Sequence, residues 1–193
     1  MKSKLLYRLL VATVFFSIPA NAGFIIDNHL SFLDSRSNTV SSESYSKYNL
    51  SLSVGASIPK IYFLGWKTTT HADWQKGSAG TAKITGLEMG PRFGVFLTKN
   101  KWTSFTTTYL PVYSATQTTD SGTVTKLSGS GFEFEFTFAP EVFKHLSPGI
   151  SLIYHIGGYS SATNSGGSTS TVNYSRNLFI PSIYLHWVFG SLD

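Results

Sequence analysis

Gly129–Pro140 reads G-S-G-F-E-F-E-F-T-F-A-P, and this stretch decides the fold. Phenylalanine fills every second position, while the positions between carry acids and small residues. The residues concerned are Phe132, Phe134, Phe136 and Phe138 on one side and Glu133 and Glu135 on the other. A β-strand points alternate side chains to opposite faces, so the segment has one aromatic face and one acidic face. The aromatic face needs an apolar neighbour, either a protein core or lipid, and we interpret it as lipid-facing.

The chain begins with a basic segment followed by a short apolar one. The apolar run LLVATVFFSI at 9–18 comes after Lys2, Lys4 and Arg8. It is followed by the small-x-small sequence Ala20-Asn21-Ala22. This order is typical of a secretory signal peptide. About ten apolar residues are too few to cross a bilayer as a helix, which argues against a permanent anchor. We therefore predict a signal peptide over 1–22, cleaved after Ala22, and one mature domain over 23–193.

Composition excludes several classes of function. The chain has 15 basic and 10 acidic residues, and removal of 1–22 takes away three basic ones, which leaves a formal charge of 12 − 10 = +2. No Lys/Arg run marks a phosphate-binding patch, so we expect no nucleic-acid partner. The chain has no cysteine, which excludes disulfides and cysteine metal sites.

The polar positions are poor in charge. Charged residues make up 13% of the chain and aromatic residues 15%. A soluble β-protein usually covers its solvent face with Lys, Glu and Asp, whereas the polar face here is mostly Ser, Thr, Gly and Asn. This balance favours a barrel whose polar face is turned inward.

Alternating segments predict eight strands. They are Phe24–Asp34, Tyr48–Ile58, Ile61–Trp74, Thr81–Thr98, Trp102–Thr116, Gly129–Pro140, Gly149–Tyr159 and Val172–Phe189. A strand needs about 9–11 residues to cross a membrane, and each of these segments is long enough. Pro111 predicts a bulge or a local break in pairing within the fifth strand.

The connections are predicted to alternate in length. Polar loops at 35–46, 75–80, 117–126 and 160–171 follow the odd strands, and short turns or a somewhat longer 140–148 connection follow the even ones. Short periplasmic turns and longer extracellular loops are the asymmetry of outer-membrane barrels. The fold class we predict is an all-β, eight-stranded, antiparallel up-and-down transmembrane β-barrel. An extracellular partner at loops 35–46, 117–126 and 160–171 stays open.

The last strand carries the most specific family signal. Ile183-x-Leu185-x-Trp187-x-Phe189 alternates apolar and aromatic residues and closes on phenylalanine, although Gly190–Asp193 extends beyond it. With the segment Glu88–Gly94, this pattern resembles the small OmpA/OmpX-type eight-stranded outer-membrane barrels. The resemblance implies residence in the outer membrane, contact with its lipid, and recognition by the barrel-insertion machinery. The residues that we expect to face lipid are Phe132, Phe134, Phe136, Phe138, Leu185, Trp187 and Phe189.

An eight-stranded barrel has an interior just wide enough for its own side chains. Buried charges must be paired, so we predict an ion network that plugs the lumen. Its members are Lys47, Lys67, Glu88, Arg92, Glu133, Glu135 and His155. Arg92 offers a bidentate fork, with Glu133 or Glu135 as the preferred partner. A polar path for ions or small solutes is the alternative to the plug.

Catalysis was weighed against a structural, surface-interaction or porin-like role. His71-Ala72-Asp73 places a histidine and an acid on one face near the outer rim, which leaves an outer-membrane lipid- or peptide-modifying enzyme as an alternative. A soluble periplasmic ligand-binding barrel is the other alternative, since a strand pattern does not reveal which face points inward. We predict no enzyme activity and no cofactor. The five histidines have no second ligand at hairpin spacing, so we also expect no metal.

Overall fold

The computed structural model describes residues 23–36, 44–58, 61–77 and 80–189. The predicted signal peptide 1–22, most of loop 35–46, the Pro59-Lys60 turn and the tail 190–193 lie outside the described residues. Among the described residues, no helix is long and apolar enough to cross a membrane.

Eight antiparallel strands form a closed barrel in chain order, with β8 pairing back to β1. The strands are β1 Phe24–Arg36, β2 Ser44–Ile58, β3 Tyr62–Gly77, β4 Gly80–Phe96, β5 Thr103–Thr119, β6 Val124–Phe138, β7 Leu146–Asn164 and β8 Thr169–Phe189. The prediction of an all-β antiparallel barrel is therefore confirmed at this level. We call the end that carries residue 23 and the connections after β2, β4 and β6 the lower end, and the opposite end the upper end.

The polarity of the wall is inverted relative to a soluble protein. Along β6, Glu133 and Glu135 are buried inside, whereas the four phenylalanines on the outer face are 37–48% exposed. Trp187 and Phe189 are exposed on the same outer wall, and Leu185 is half-buried. Among the described residues, 31 large hydrophobic side chains are exposed and only 15 hydrophobic ones are buried. The larger part of the apolar surface thus lies outside the barrel.

The exposed apolar residues form a belt. One row runs side by side across six consecutive strands: Tyr62, Val95, Phe105, Phe136, Leu152 and Pro181. Nearer the upper end the outer face changes character. A row there consists of Thr85, Thr116, Lys126 and Thr163 on β4 to β7. The upper parts of these strands therefore extend beyond the apolar belt as a polar overhang.

Three predicted loops are wrong. Most of 117–126 is strand, because β5 runs to Thr119 and β6 begins at Val124. Most of 160–171 belongs to β7 and β8, and in 75–80 only residues 78 and 79 fall outside the strands that the structure describes. Ser/Thr-rich composition had suggested loops, yet threonine is β-branched and suits a strand, and backbone pairing continues through these segments. The lower connections 97–102 and 139–145 are longer than these three hairpins, so the predicted alternation of loop lengths is also wrong.

The barrel wall contains local irregularities, among them shifts of register between Ser128 and Gly129 of β6 and between Tyr159 and Ser161 of β7. The register shifts on both sides of β5 around Pro111, which forms the bulge that this proline predicts. The β1–β8 seam pairs only from Phe24↔Phe189 to Ser31↔Ser182, and it ends beside Pro181. Proline has no N–H to donate to a ladder, which is consistent with the end of pairing at this position.

Candidate functional site

The interior holds an unusual density of ionisable groups. Among the side chains that the structure describes, the buried ones include five carboxylates, three permanent cations and four histidines. They are Asp27, Asp73, Glu88, Glu133 and Glu135; Lys47, Lys67 and Arg92; and His29, His71, His155 and His186. All seven residues predicted for the lumen lie within this set. Strand alternation puts them there, since each lies on the strand face opposite the outer wall.

Arg92 on β4 connects two acids in the lower half of the lumen. It pairs with Asp27 of β1 through one terminal nitrogen, and its other terminal nitrogen lies 3.3 Å from Glu135 Oε2. Glu135 was one of the two partners expected from sequence, but Asp27 was not. Tyr184 also donates to Asp27 Oδ1 at 2.8 Å, and His186 Nδ1 lies 2.6 Å from the same oxygen.

Lys67 on β3 sits between the two acids of the phenylalanine strand. Its Nζ is 2.7 Å from Glu133 Oε2 and 3.4 Å from Glu135 Oε2. His29 Nε2 approaches Glu135 Oε1 at 2.5 Å. Glu135 therefore contacts a lysine, an arginine and a histidine from three other strands. Short charge-assisted contacts of this kind compensate the cost of removing a carboxylate from water.

Glu88 on β4 is the centre of the upper half. His71 Nδ1 lies 3.0 Å and Lys47 Nζ 3.6 Å from Glu88 Oε1, and His155 Nδ1 lies 3.8 Å from Oε2. Lys47 also reaches Asp73 Oδ1 at 3.8 Å, and Tyr45 donates to the other oxygen of Asp73 at 3.1 Å. Glu133 Oε1 lies 3.1 Å from His155 Nδ1, so the upper and lower halves form one connected network.

Five members of the network were not among the residues predicted for the lumen. Asp27 and His29 alternate with outward Ile26 and Leu30, which was a sufficient signal to place them inside. His71 and Asp73, the pair that carried the enzyme alternative, are both buried inside the barrel. His186 follows the same alternation between Leu185 and Trp187 of β8. No local pattern in the sequence indicates which acid pairs with which cation across the lumen.

Apolar clusters lie at both ends of the network. The lower cluster is Ile25, Phe63 and Phe96. The upper cluster is larger and consists of Ile84, Leu110, Tyr113, Ala115, Leu127, Tyr159 and Ala162, with Val172 packed against it. A charge that crossed the lumen would have to pass both apolar layers and break paired ions between them. The arrangement is therefore suited to closing the lumen.

The described side chains bring one group of three together in a way that suits a metal ion. Glu88, Glu133 and His155 each offer a ligand atom, and these atoms lie within 4.8 Å of one another.

No family model of known proteins matches this chain, and no curated protein matches it either.

Proposed function

We propose that this chain is an integral outer-membrane β-barrel with a closed lumen, a structural or surface-interaction role and no catalysis. The observation that carries the proposal is the inverted wall: paired charges inside and a belt of large apolar side chains outside. Soluble monomers rarely expose contiguous apolar patches of more than a few hundred Å². A closed barrel also leaves no unpaired backbone edge, which lipid requires.

The height of the belt supports the same conclusion. Outer positions of β8 are apolar from Phe179 to Phe189, a span of eleven residues. A membrane-crossing strand needs about 9–11 residues. The 21 residues of β8 exceed this length, and the excess belongs to the polar overhang.

We further propose the orientation and the assembly route. The lower end, with the chain start after cleavage at Ala22, faces the periplasm, and the polar overhang faces the outside. The alternating end of β8 and the wall polarity are similar to OmpA/OmpX-type barrels, so the barrel-insertion machinery is the expected assembly partner. A surface partner would contact the overhang and its hairpins at 120–123 and 165–168.

The alternatives are less well supported by the interior. A porin-like path has to cross the network and both apolar clusters. A soluble ligand-binding barrel needs an apolar interior, whereas an apolar groove of about 690 Å³ lies among outward residues such as Leu30, Ile150 and Ile183. The enzyme alternative rested on an accessible His71 and Asp73, and both are buried.

The chain has no cysteine, so single cysteines can test orientation directly. Ser121→Cys lies in an upper hairpin and Lys144→Cys in a lower connection, and both positions are exposed. In intact Gram-negative cells, we expect a membrane-impermeant maleimide to label Ser121→Cys only. Lys144→Cys should label after the outer membrane is permeabilised. Labelling of neither site, or of both equally, in intact cells would contradict the proposal.

A further inference from the structure

We propose that the upper half of the lumen binds one divalent transition-metal ion, best matched by Zn²⁺, between Glu88, Glu133 and His155. These residues come from β4, β6 and β7, and each is at most 2% exposed. Their ligand atoms lie within 4.8 Å of one another.

The proposal requires only the closed barrel and does not depend on insertion into a membrane.

The lysines occupy one oxygen of each acid and leave the other oxygen turned toward His155. Lys67 contacts Glu133 Oε2, and Lys47 contacts Glu88 Oε1. The opposite oxygens, Glu133 Oε1 and Glu88 Oε2, lie 3.1 and 3.8 Å from His155 Nδ1. An ion among these three atoms therefore leaves both lysine contacts in place.

His155 is held in the orientation that a metal ligand needs. Tyr113 Oη lies 3.0 Å from His155 Nε2. Metal-ligating histidines almost always donate their other ring N–H to an oxygen acceptor, which fixes the tautomer. Without a metal, Nδ1–H donates to Glu133 Oε1, which as a carboxylate oxygen can only accept, and Tyr113 donates to Nε2. A metal at Nδ1 would replace that proton, and Nε2–H would then donate to Tyr113 with the ring in the same place. Gly157 makes room for the ring, since a Cβ there would lie 2.6 Å from His155 Nε2.

His71 repeats this arrangement on the other side of Glu88. Tyr159 Oη lies 3.4 Å from His71 Nε2, and Gly86 leaves space for the ring, because a Cβ there would lie 2.5 Å from His71 Cε1. His71 Nδ1 lies 3.0 Å from Glu88 Oε1, the oxygen that also faces Lys47 Nζ at 3.6 Å, so His71 and Lys47 together fix the carboxylate of Glu88. We assign His71 as a positioning residue for Glu88.

The charge of the interior points to a divalent ion. Five buried carboxylates face three permanent cations among the described side chains, which leaves a formal charge of 3 − 5 = −2 with neutral histidines. A charge in a dry interior has to be compensated. Two carboxylates and one imidazole are a suitable donor set for Zn²⁺, with a fourth position left open.

The donors are far apart in the sequence, at positions 88, 133 and 155, which is why their spacing predicted no metal. Only the register of β3 to β7 brings them together. Glu133 and His155 are direct partners on the neighbouring strands β6 and β7, and closure of the barrel brings Glu88 of β4 to them across the lumen.

The deciding experiment is the zinc content of the refolded full-length mature protein. The protein is refolded with ZnCl₂ in whichever medium supports folding, and a chelator then removes free zinc. The zinc that stays bound to the folded protein is measured by mass spectrometry. We expect one zinc per folded chain in the wild type. We also expect Co²⁺ in place of zinc to show visible absorption typical of nitrogen and oxygen ligands.

His29→Asn is the matched control for His155→Asn, because both histidines are buried and contact a lumen carboxylate. We expect His29→Asn to retain the zinc and His155→Asn to lose at least nine-tenths of it. A wild type far below one zinc per chain would overturn the proposal and would indicate that protons balance the lumen charge. Equal loss in both variants would overturn it too. If His155→Asn does not fold, the zinc content of the wild type still tests the proposal. Zinc is counted per folded chain, so a negative result would overturn the metal site without bearing on the membrane proposal.

Discussion

At the residue scale, Arg92 is the cation on which the lower lumen depends. It joins Asp27 of β1 to Glu135 of β6, and all three side chains are buried. Removal of one partner from a buried ion pair typically costs about 3–5 kcal/mol, because a charge is left without compensation.

We therefore expect Arg92→Met to lower the free energy of unfolding by about this amount, measured by urea titration with tryptophan fluorescence. Lys83→Met is the control, since Lys83 is exposed and contacts only the Trp74 ring among the interactions described, at 5.5 Å. It should change stability by about 1 kcal/mol or less. Equal effects of the two substitutions would show that Arg92 is not held in a buried network.

The inward residues of β6 show which part of the ion network is predictable from the sequence. Alternation is enough to put Glu133 and Glu135 inside, because the strand period is two regardless of the partner. It does not tell which cation meets which acid. The Arg92–Asp27 pair joins residues 65 positions apart, and it forms only because register and barrel closure bring β1 opposite β4.

At the element scale, β6 contains both environments proposed for the outer wall. Phe134 lies in the apolar belt, and Ser130 lies four residues nearer the upper end on the same outer face, just beyond Phe132, where this face becomes polar. If lipid surrounds the belt, a charge at Phe134 should be costly and a charge at Ser130 should not.

We expect Phe134→Arg to destabilise the barrel in lipid vesicles by about 2–4 kcal/mol, and Ser130→Arg by about 0–1 kcal/mol. The measurement is reversible urea unfolding of the two variants and the wild type in the same vesicles. Similar small losses of stability at both positions would mean that water, and not lipid, surrounds Phe134 as well as Ser130. That result would contradict a lipid environment for the apolar belt.

The strand ends were the least predictable part of the elements. Gln117–Thr119 and Thr169–Thr171 are polar and lie in predicted loops, yet they pair as strand. A polar outer face marks the end of the apolar belt and not the end of the strand. Strand interiors, where apolar residues alternate with polar ones, were predictable because one face is fixed by apolar contact.

At the scale of the whole molecule, the lumen should not conduct. The network and the two apolar clusters lie in the interior of an eight-stranded barrel, which is just wide enough for its own side chains. In planar bilayers we expect the purified wild type to insert without steady conductance steps. Reproducible steps would contradict a closed lumen and favour the porin-like alternative, and a change in step size on Glu133→Gln would then assign the path to the network.

The central claim is that the apolar belt requires a lipid environment, and the most direct measurement is lipid-dependent folding. The mature chain is diluted from urea into vesicles or into buffer alone, and unheated and boiled samples are compared by gel electrophoresis. We predict a faster-migrating, protease-resistant band in the unheated vesicle sample, converted by boiling to the unfolded position, and no such band in buffer. The same compact, protease-resistant protein formed in buffer without lipid or detergent would contradict the account.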